Sequence, residues 1–265
     1  MSILKKVLIK ASGNRFIQSA LEKNVLASQF LMGIGSGGRI AFSGEEIIFH
    51  VLRQRFKPPY CIFDVGSNKG QFLQLTLNNI GGDSLSVHCF EPENASFKIL
   101  AKFFDGNKRV KLNNIGIGKE KGEAVLYFDK TGPELASLTK RKMDQFGIDF
   151  NKSEKVKVST IDQYCLENTI NRIQLLKIDI EGHEFDALVG ARKMFDKRAI
   201  DIVSFEFGGC NVDSRTFFQD FWYFFSEINM KIFRIVPSGY LYPIDSYKQT
   251  YEQFKTTNFI AILNS

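Results

Sequence analysis

Little in this sequence invites metal or disulfide chemistry. Its four cysteines, Cys61, Cys89, Cys165 and Cys210, form no CxxC pair, and its three histidines lie far from one another. A zinc site needs several such ligands at short, fixed spacings, so no metal site is expected. Cys61 and Cys89 fall inside apolar, strand-like runs, where a thiol behaves as a small hydrophobe. Reduced buried thiols suit a cytoplasmic protein, which is the location expected. No apolar run reaches the ~20 residues that cross a bilayer. Met1 to Lys10 alternates apolar residues with lysines and lacks the long apolar stretch of a signal peptide. Weak contact of this basic segment with a membrane surface stays open as a minor reading. Repeats and low-complexity tracts are missing too.

A hydrophobic fraction of 44% with 24% charged residues supports a full core. Phe occurs 26 times against a single Trp, which predicts a core packed with aromatic rings. The net charge of +6 would suit a nucleic-acid binder if it were clustered. Apart from Lys140-Arg141-Lys142, however, the basic residues are scattered, which reads as a solvated surface without a nucleic-acid partner.

The first fifty residues read as helical segments interrupted by Gly33-Ile34-Gly35-Ser36-Gly37-Gly38. No β-branched strand precedes these glycines, so a flexible turn leading to a helix start at Ser43-Gly44-Glu45-Glu46 is preferred to a nucleotide loop. We expect an N-terminal helical extension over 1–50 and one domain over 51–265. From Tyr60 the pattern alternates. Strands are expected at Tyr60–Val65, Leu85–Phe90, Val110–Asn114, Ile173–Ile178, Ile202–Phe207, Lys231–Val236 and Phe259–Leu263. Helices are expected at 70–79, 94–104, 184–194 and 216–228. A hairpin around Ala124–Phe128 and a strand near Val156–Val158 flank a long polar loop, Thr131 to Ser153. Such loops often serve as lids, and Ser137 is placed near the site. The aromatic run Phe217, Phe218, Phe221, Trp222, Phe225 and Ile228 has helical spacing and reads as core.

Alternating β and α units imply a mostly parallel, seven-stranded sheet flanked by helices. Ligands of such sheets bind beyond the carboxyl ends of the strands. That rule singles out Asp64, Glu91, Asn114, Asp179 and Glu206, four of them acidic.

The strongest local signal is Phe63-Asp64-Val65-Gly66-Ser67-Asn68-Lys69-Gly70-Gln71. Glycines after a strand allow a sharp turn and a close ligand approach. Free amides at the helix start favour a carboxylate or phosphate. Glu91, ending the next strand, can accept from both hydroxyls of a ribose. Together these features specify a nucleoside-containing ligand. Gly66 and Gly70 enclose three residues, which departs from the GxGxxG dinucleotide fingerprint.

With Phe90-Glu91-Pro92-Glu93, Asn114-Ile115-Gly116-Ile117-Gly118, Ser159-Thr160-Ile161-Asp162 and the block Leu176-Lys177-Ile178-Asp179-Ile180-Glu181-Gly182-His183-Glu184, the sequence resembles the FkbM family of methyltransferases over roughly residues 45 to 265. The resemblance implies a Rossmann-like class I fold, S-adenosylmethionine as cofactor, and O-methylation of a hydroxyl on a small-molecule or glycan acceptor. It implies that Asp64, Gly66, Ser67, Asn68, Gly70 and Gln71 hold the methionine part. Glu91 and Pro92 would serve the ribose, and Asn114 and Ile115 would flank the adenine.

Methyl transfer is an in-line displacement that depends on placing the acceptor oxygen close to the methyl carbon. A hydroxyl is a poor nucleophile, so a general base helps. Asp179, beside the expected sulfonium, is the first candidate, followed by Glu181 and His183. Glu206 is expected to hydrogen-bond the acceptor. Glu184 reads instead as an acidic residue offsetting a helix dipole. Methylation of nucleic acid, nicotinamide-dependent oxidation and non-catalytic nucleoside binding are the competing readings.

Overall fold

The computed structural model describes residues 2–38, 43–129 and 132–264, apart from the side chains of residues 3, 4, 7 and 132–134. Two helices open the chain, α1 (Ile3–Ala11) and α2 (Arg15–Leu31), followed by α3 (Ile47–Arg55). The alternating body then runs β1 (Tyr60–Val65), α4 (Gln71–Asn79), β2 (Leu85–Phe90), α5 (Asn94–Phe104) and β3 (Val110–Asn113). Next come β4 (Gly116–Ile117), β5 (Gly122–Asp129), β6 (Gly132–Ser137) and β7 (Lys152–Ser159), then α6 (Ile161–Glu167) and β8 (Ile173–Ile178). The remainder is α7 (Glu184–Val189), α8 (Arg192–Asp196), β9 (Ile200–Phe207), α9 (Cys210–Ser214), α10 (Phe218–Glu227), β10 (Met230–Ile235), β11 (Leu241–Pro243) and β12 (Thr257–Leu263).

The main sheet has eight strands in the order β11-β10-β12-β9-β8-β1-β2-β3. Strands β3, β2, β1, β8 and β9 run parallel, while β12, β10 and β11 join antiparallel. The sheet is therefore mixed, and the expected seven strands become eight. The extra strand, β11, is only three residues long and folds back on β10 through a tight turn. There Val236 N donates to Tyr240 O and Gly239 N to Val236 O. A second sheet, β4-β7-β5-β6, sits beside the first.

Strand periodicity sorts the core into two layers. On one face Tyr60, Ile62, Val87 and Leu175 pack with Phe49 and Leu52 of α3 and Leu73 of α4. On the other, Phe63, Val65, Leu176 and Ile178 pack with Ala187 and Leu188 of α7 and with Phe218, Phe221 and Phe225 of α10. The second layer is aromatic, as the composition predicts: the Phe205 and Phe221 rings stack at 4.8 Å.

Three other expectations change. The single helix 184–194 is two, because Asp162 accepts hydrogen bonds from Lys193 N and Met194 N and so caps a new start at α8. In the expected loop from Thr131 to Ser153, Thr131 lies outside the described residues. Beyond it, β6 pairs with β5, residues 144–146 form a 3-10 turn, and Lys152 already belongs to β7. The glycine turn is docked, not free: Gly35 N and Gly37 N both donate to Thr256 O.

Strand order reverses between β1 and β8, since β2 lies on one side and β9 on the other. A crevice opens at that switch point, beyond the strand ends.

Candidate active site

A cavity of about 620 Å³ occupies this crevice. Its size falls within the roughly 300–1,000 Å³ typical of small-molecule sites. The turn after β1 forms one wall. Gly66 has φ +84, and a Cβ there would sit 1.8 Å from the Asp179 carbonyl oxygen, so only glycine lets these two strand ends approach. Gly66 N and Ser67 N each donate to Phe90 O at 3.0 Å, and Ser67 Oγ donates to Asp64 O at 2.7 Å.

Glu91 joins this turn to the end of β2. Its Oε2 accepts from Asn68 N and its Oε1 from Glu93 N, both at 2.8 Å. Each oxygen keeps further acceptor capacity for a hydroxyl donor. Burial pushes the Glu91 carboxyl up to about 7, although the two amides pull it down. Asn114 Nδ2 donates to the carbonyls of Glu91 and Pro92 at 3.0 and 3.1 Å and fixes their path.

Of the residues expected at the cofactor, Gly66, Ser67, Asn68, Gln71, Glu91 and Pro92 line the cavity. Asp64, Gly70, Asn114 and Ile115 do not. Gly70 instead faces Phe104, 2.5 Å from where a Cβ would stand, and Ile115 packs on the core. Gly116 and Ile117 are the positions that reach the cavity there.

Carboxylates gather beside the Gly66 turn. Asp179, Glu181, Glu206 and, from the N-terminal segment, Glu45 all line the cavity. Asp179 Oδ2 accepts from Lys177 Nζ at 3.1 Å. Glu181 has φ +52, a left-handed conformation uncommon outside glycine, and its Oε2 accepts from Arg141 Nη1 at 2.6 Å. Burial and nearby Asp179 push the Glu181 carboxyl up to about 8, with Arg141 opposing them. Glu206 is lifted well above the usual carboxylate range by burial and by Asp179, Glu181 and Glu184.

His183 lines the cavity, but both ring nitrogens have partners: Nδ1 lies 2.8 Å from Asp186 Oδ2 and Nε2 lies 3.0 Å from Thr139 Oγ1. Glu184 is fully buried away from the cavity and accepts from Ile180 N and Gly182 N, so it braces the turn that carries Asp179 and Glu181. Ser137 Oγ donates to Glu181 O at 2.8 Å and lines the cavity from β6. Among the described residues, no three His, Cys, Asp or Glu side chains are placed to hold a metal ion.

Sequence reasoning missed Lys177, Arg141 and Glu45. Lys177 is buried, and its Nζ stands 4.0 Å from Asp64 Oδ1. Burial works against its charge, but Asp179, Asp64 and Glu45 outweigh that and hold its pKa above the ordinary lysine value. A lysine inside the apolar run Leu175-Leu176-Lys177-Ile178 was a readable signal of a paired, buried charge. Arg141 and Glu45 lie outside the strand ends and gave no comparable signal.

A family model described as the methyltransferase FkbM domain matches residues 64–234, which carry most of the cavity's lining. The chain belongs to this family. Its FkbM methyltransferase domain runs from the end of β1 into β10. No curated protein matches the chain. Among solved structures, it is similar to the FkbM methyltransferase of Methylobacillus flagellatus KT, with 14% identity and a TM-score of 0.45 over 91% of this chain and 60% of that one. This chain therefore spans less than two thirds of that protein's length. It is also similar to a Streptococcus mutans protein solved with S-adenosylhomocysteine (9% identity, TM-score 0.44, 82% of this chain and 96% of that one). A methyltransferase from Aquifex aeolicus gives 11% identity and a TM-score of 0.44 over 86% and 93% of the two chains. Among the described residues, no helix of the FkbM protein is long and apolar enough to cross a membrane.

Proposed function

We propose that this FkbM protein methylates a hydroxyl oxygen of a sugar or related polyol. The observation that carries the reading is that Asp179, Glu181 and Glu206 line the same cavity as the Gly66 turn and Glu91. The chain's own groups fit the nucleoside cofactor: Glu91 retains acceptor capacity for ribose hydroxyls, and the Gly66 turn admits close backbone approach. When bound, the cofactor supplies an electrophilic methyl group.

The residues then divide the remaining work. Asp179, salt-bridged to Lys177 and 42% exposed, accepts the acceptor's hydroxyl hydrogen and aims its oxygen. Taking up that proton as the new C–O bond forms is the part of a general base. Glu206 and Glu181, both holding protons more tightly than usual, hydrogen-bond neighbouring hydroxyls of a polyol. A polyhydroxy ligand matches a wall rich in acceptors and donors, and Arg141 and Ser137 add to that wall. His183, held by two partners, positions the loop carrying Thr139.

The test is incubation of the purified protein with methyl-labelled cofactor and a panel of sugars, glycolipids, catechols and RNA. Label in a base-stable ether on a sugar supports the reading. Label only in nucleic acid, or on nitrogen, overturns it.

A further inference from the structure

We propose that α1 and α2 form a docking surface for an anionic lipid bilayer. Both helices are formed by their own caps: Ser2 Oγ accepts from Lys5 N and Asn14 Oδ1 from Ile17 N. Yet α2, 17 residues long, has no buried residue. Helices of this size owe most of their stability to packing of an apolar face, and this one leaves that face uncovered. Ile17, Leu21, Val25 and Met32 recur along one side and are 36%, 49%, 52% and 44% exposed. Leu31 flanks that side at 72% exposure, and Phe16, 81% exposed, projects from the other side of the helix. In α1, Leu8 and Ile9 are 59% and 61% exposed beside Lys5, Lys6 and Lys10.

Charge identifies the occupant. Residues 1–32 hold five Lys and Arg against a single Glu, so four of the chain's six net positive charges lie there. All six of these charged side chains are exposed. Lys and Arg beside exposed Phe, Leu and Ile are the composition of a helix that lies in a membrane interface. A second copy of the chain on this face would bring two like-charged surfaces together, which is unfavourable. Nucleic acid would use the lysines but has no need for Ile17, Leu21 and Val25.

The surface is coupled to the cavity. Gln29, near the end of α2, accepts from Lys255 Nζ at 2.7 Å and donates to Gln253 at 2.5 Å. Lys255 and Thr256, with Gly37 and Gly38 of the docked turn, line the cavity. Docking therefore brings the cavity to the bilayer surface, where a lipid-borne hydroxyl is reached. That last consequence, unlike the docking, rests on the function proposed above.

Co-sedimentation of the full chain with vesicles tests the docking directly. Binding is expected to vesicles of phosphatidylserine and phosphatidylcholine, absent with phosphatidylcholine alone, and released by salt. The variant K5Q/K6Q/K10Q should bind about a hundredfold more weakly, from about fivefold per basic residue. Ile17→Ser with Leu21→Ser and Val25→Ser should also lose binding. Both variants should keep the parent's melting temperature and its uptake of S-adenosylhomocysteine, because the altered side chains are exposed. Equal binding to both vesicle types, or to neither, overturns the proposal. So does a dimer of the parent that the α2 variant converts to monomer, or RNA binding lost only in the lysine variant. Vesicle binding without any methyl transfer would leave the docking standing while the function proposed above fails.

Discussion

Asp64 of β1 and Lys177 of β8 are register partners in the parallel sheet, with their charged atoms 4.0 Å apart on a face that is otherwise apolar. Among the described residues neither oxygen of the fully buried Asp64 accepts a hydrogen bond, and burial pushes its carboxyl up from the usual range while Lys177 pulls it down. Removing one member of a buried ion pair leaves the other stranded and costs about 3–5 kcal/mol. Lys177→Met should lower the unfolding free energy obtained from urea titration by that amount. Adding Asp64→Leu should restore much of the loss, and a double-mutant cycle measures the coupling. A single variant as stable as the parent would show that the pair does not carry this energy.

Gly66 and Gly82 share a positive φ, +84 and +85, but differ in what surrounds them. At Gly66 an added Cβ meets the Asp179 carbonyl at 1.8 Å, while at Gly82 nothing stands within 4 Å. Gly82→Ala should therefore cost only the left-handed backbone penalty, about 1–2 kcal/mol. Gly66→Ala must also force β1 and β8 apart at the cavity. We expect it to lose well over twice as much stability in thermal melts and to lose cofactor uptake.

How much of this was readable depended on burial. Strands β1, β2 and β8 match their expected bounds because runs such as Tyr60–Val65 are buried on both faces and need no alternation to be seen. Strand β6 was hidden because Gly132, Pro133 and Glu134 are poor strand formers that pairing with β5 overrides. The break between α7 and α8 depends on Asp162, a residue more than twenty positions upstream, so local periodicity could not show it. The strand-end rule found Glu91, Asp179 and Glu206. It is silent about residues arriving from elsewhere, which is how Glu45 and Arg141 escaped it.

The Glu91 carboxyl is raised from its ordinary 4.5 to about 7, chiefly by burial. Between those values the folded chain keeps a proton that the unfolded chain has released. The stability from this group is full below the unfolded value and lost as pH rises through the folded one, on the order of 3 kcal/mol in all. Glu181, raised to about 8, acts in the same direction. The ligand-free protein should thus melt at lower temperature as pH rises from about 5 to about 8, and Glu91→Gln should flatten that slope. Affinity for S-adenosylhomocysteine should move the other way and strengthen above about 7, because the ionised carboxylate is the better acceptor. Calorimetry across this range checks both signs.

Asp179 is the most exposed of the paired carboxylates on its wall, whereas His183 has both nitrogens engaged. If Asp179 takes the hydroxyl proton, Asp179→Asn should lower kcat by about 10²–10⁴. Its Kd for S-adenosylhomocysteine should change little, because Glu91 and the Gly66 turn are untouched. Glu206→Gln, which keeps a hydrogen-bonding group, should raise KM for the acceptor more than it lowers kcat. His183→Gln should alter kcat modestly and leave the pH profile in place, since a residue that only positions the Thr139 loop does not titrate in the rate. Stopped-flow and steady-state measurements on the three variants, with the labelled cofactor, distinguish these cases. A pH profile that moves with His183 and is indifferent to Asp179 would transfer the base to the imidazole.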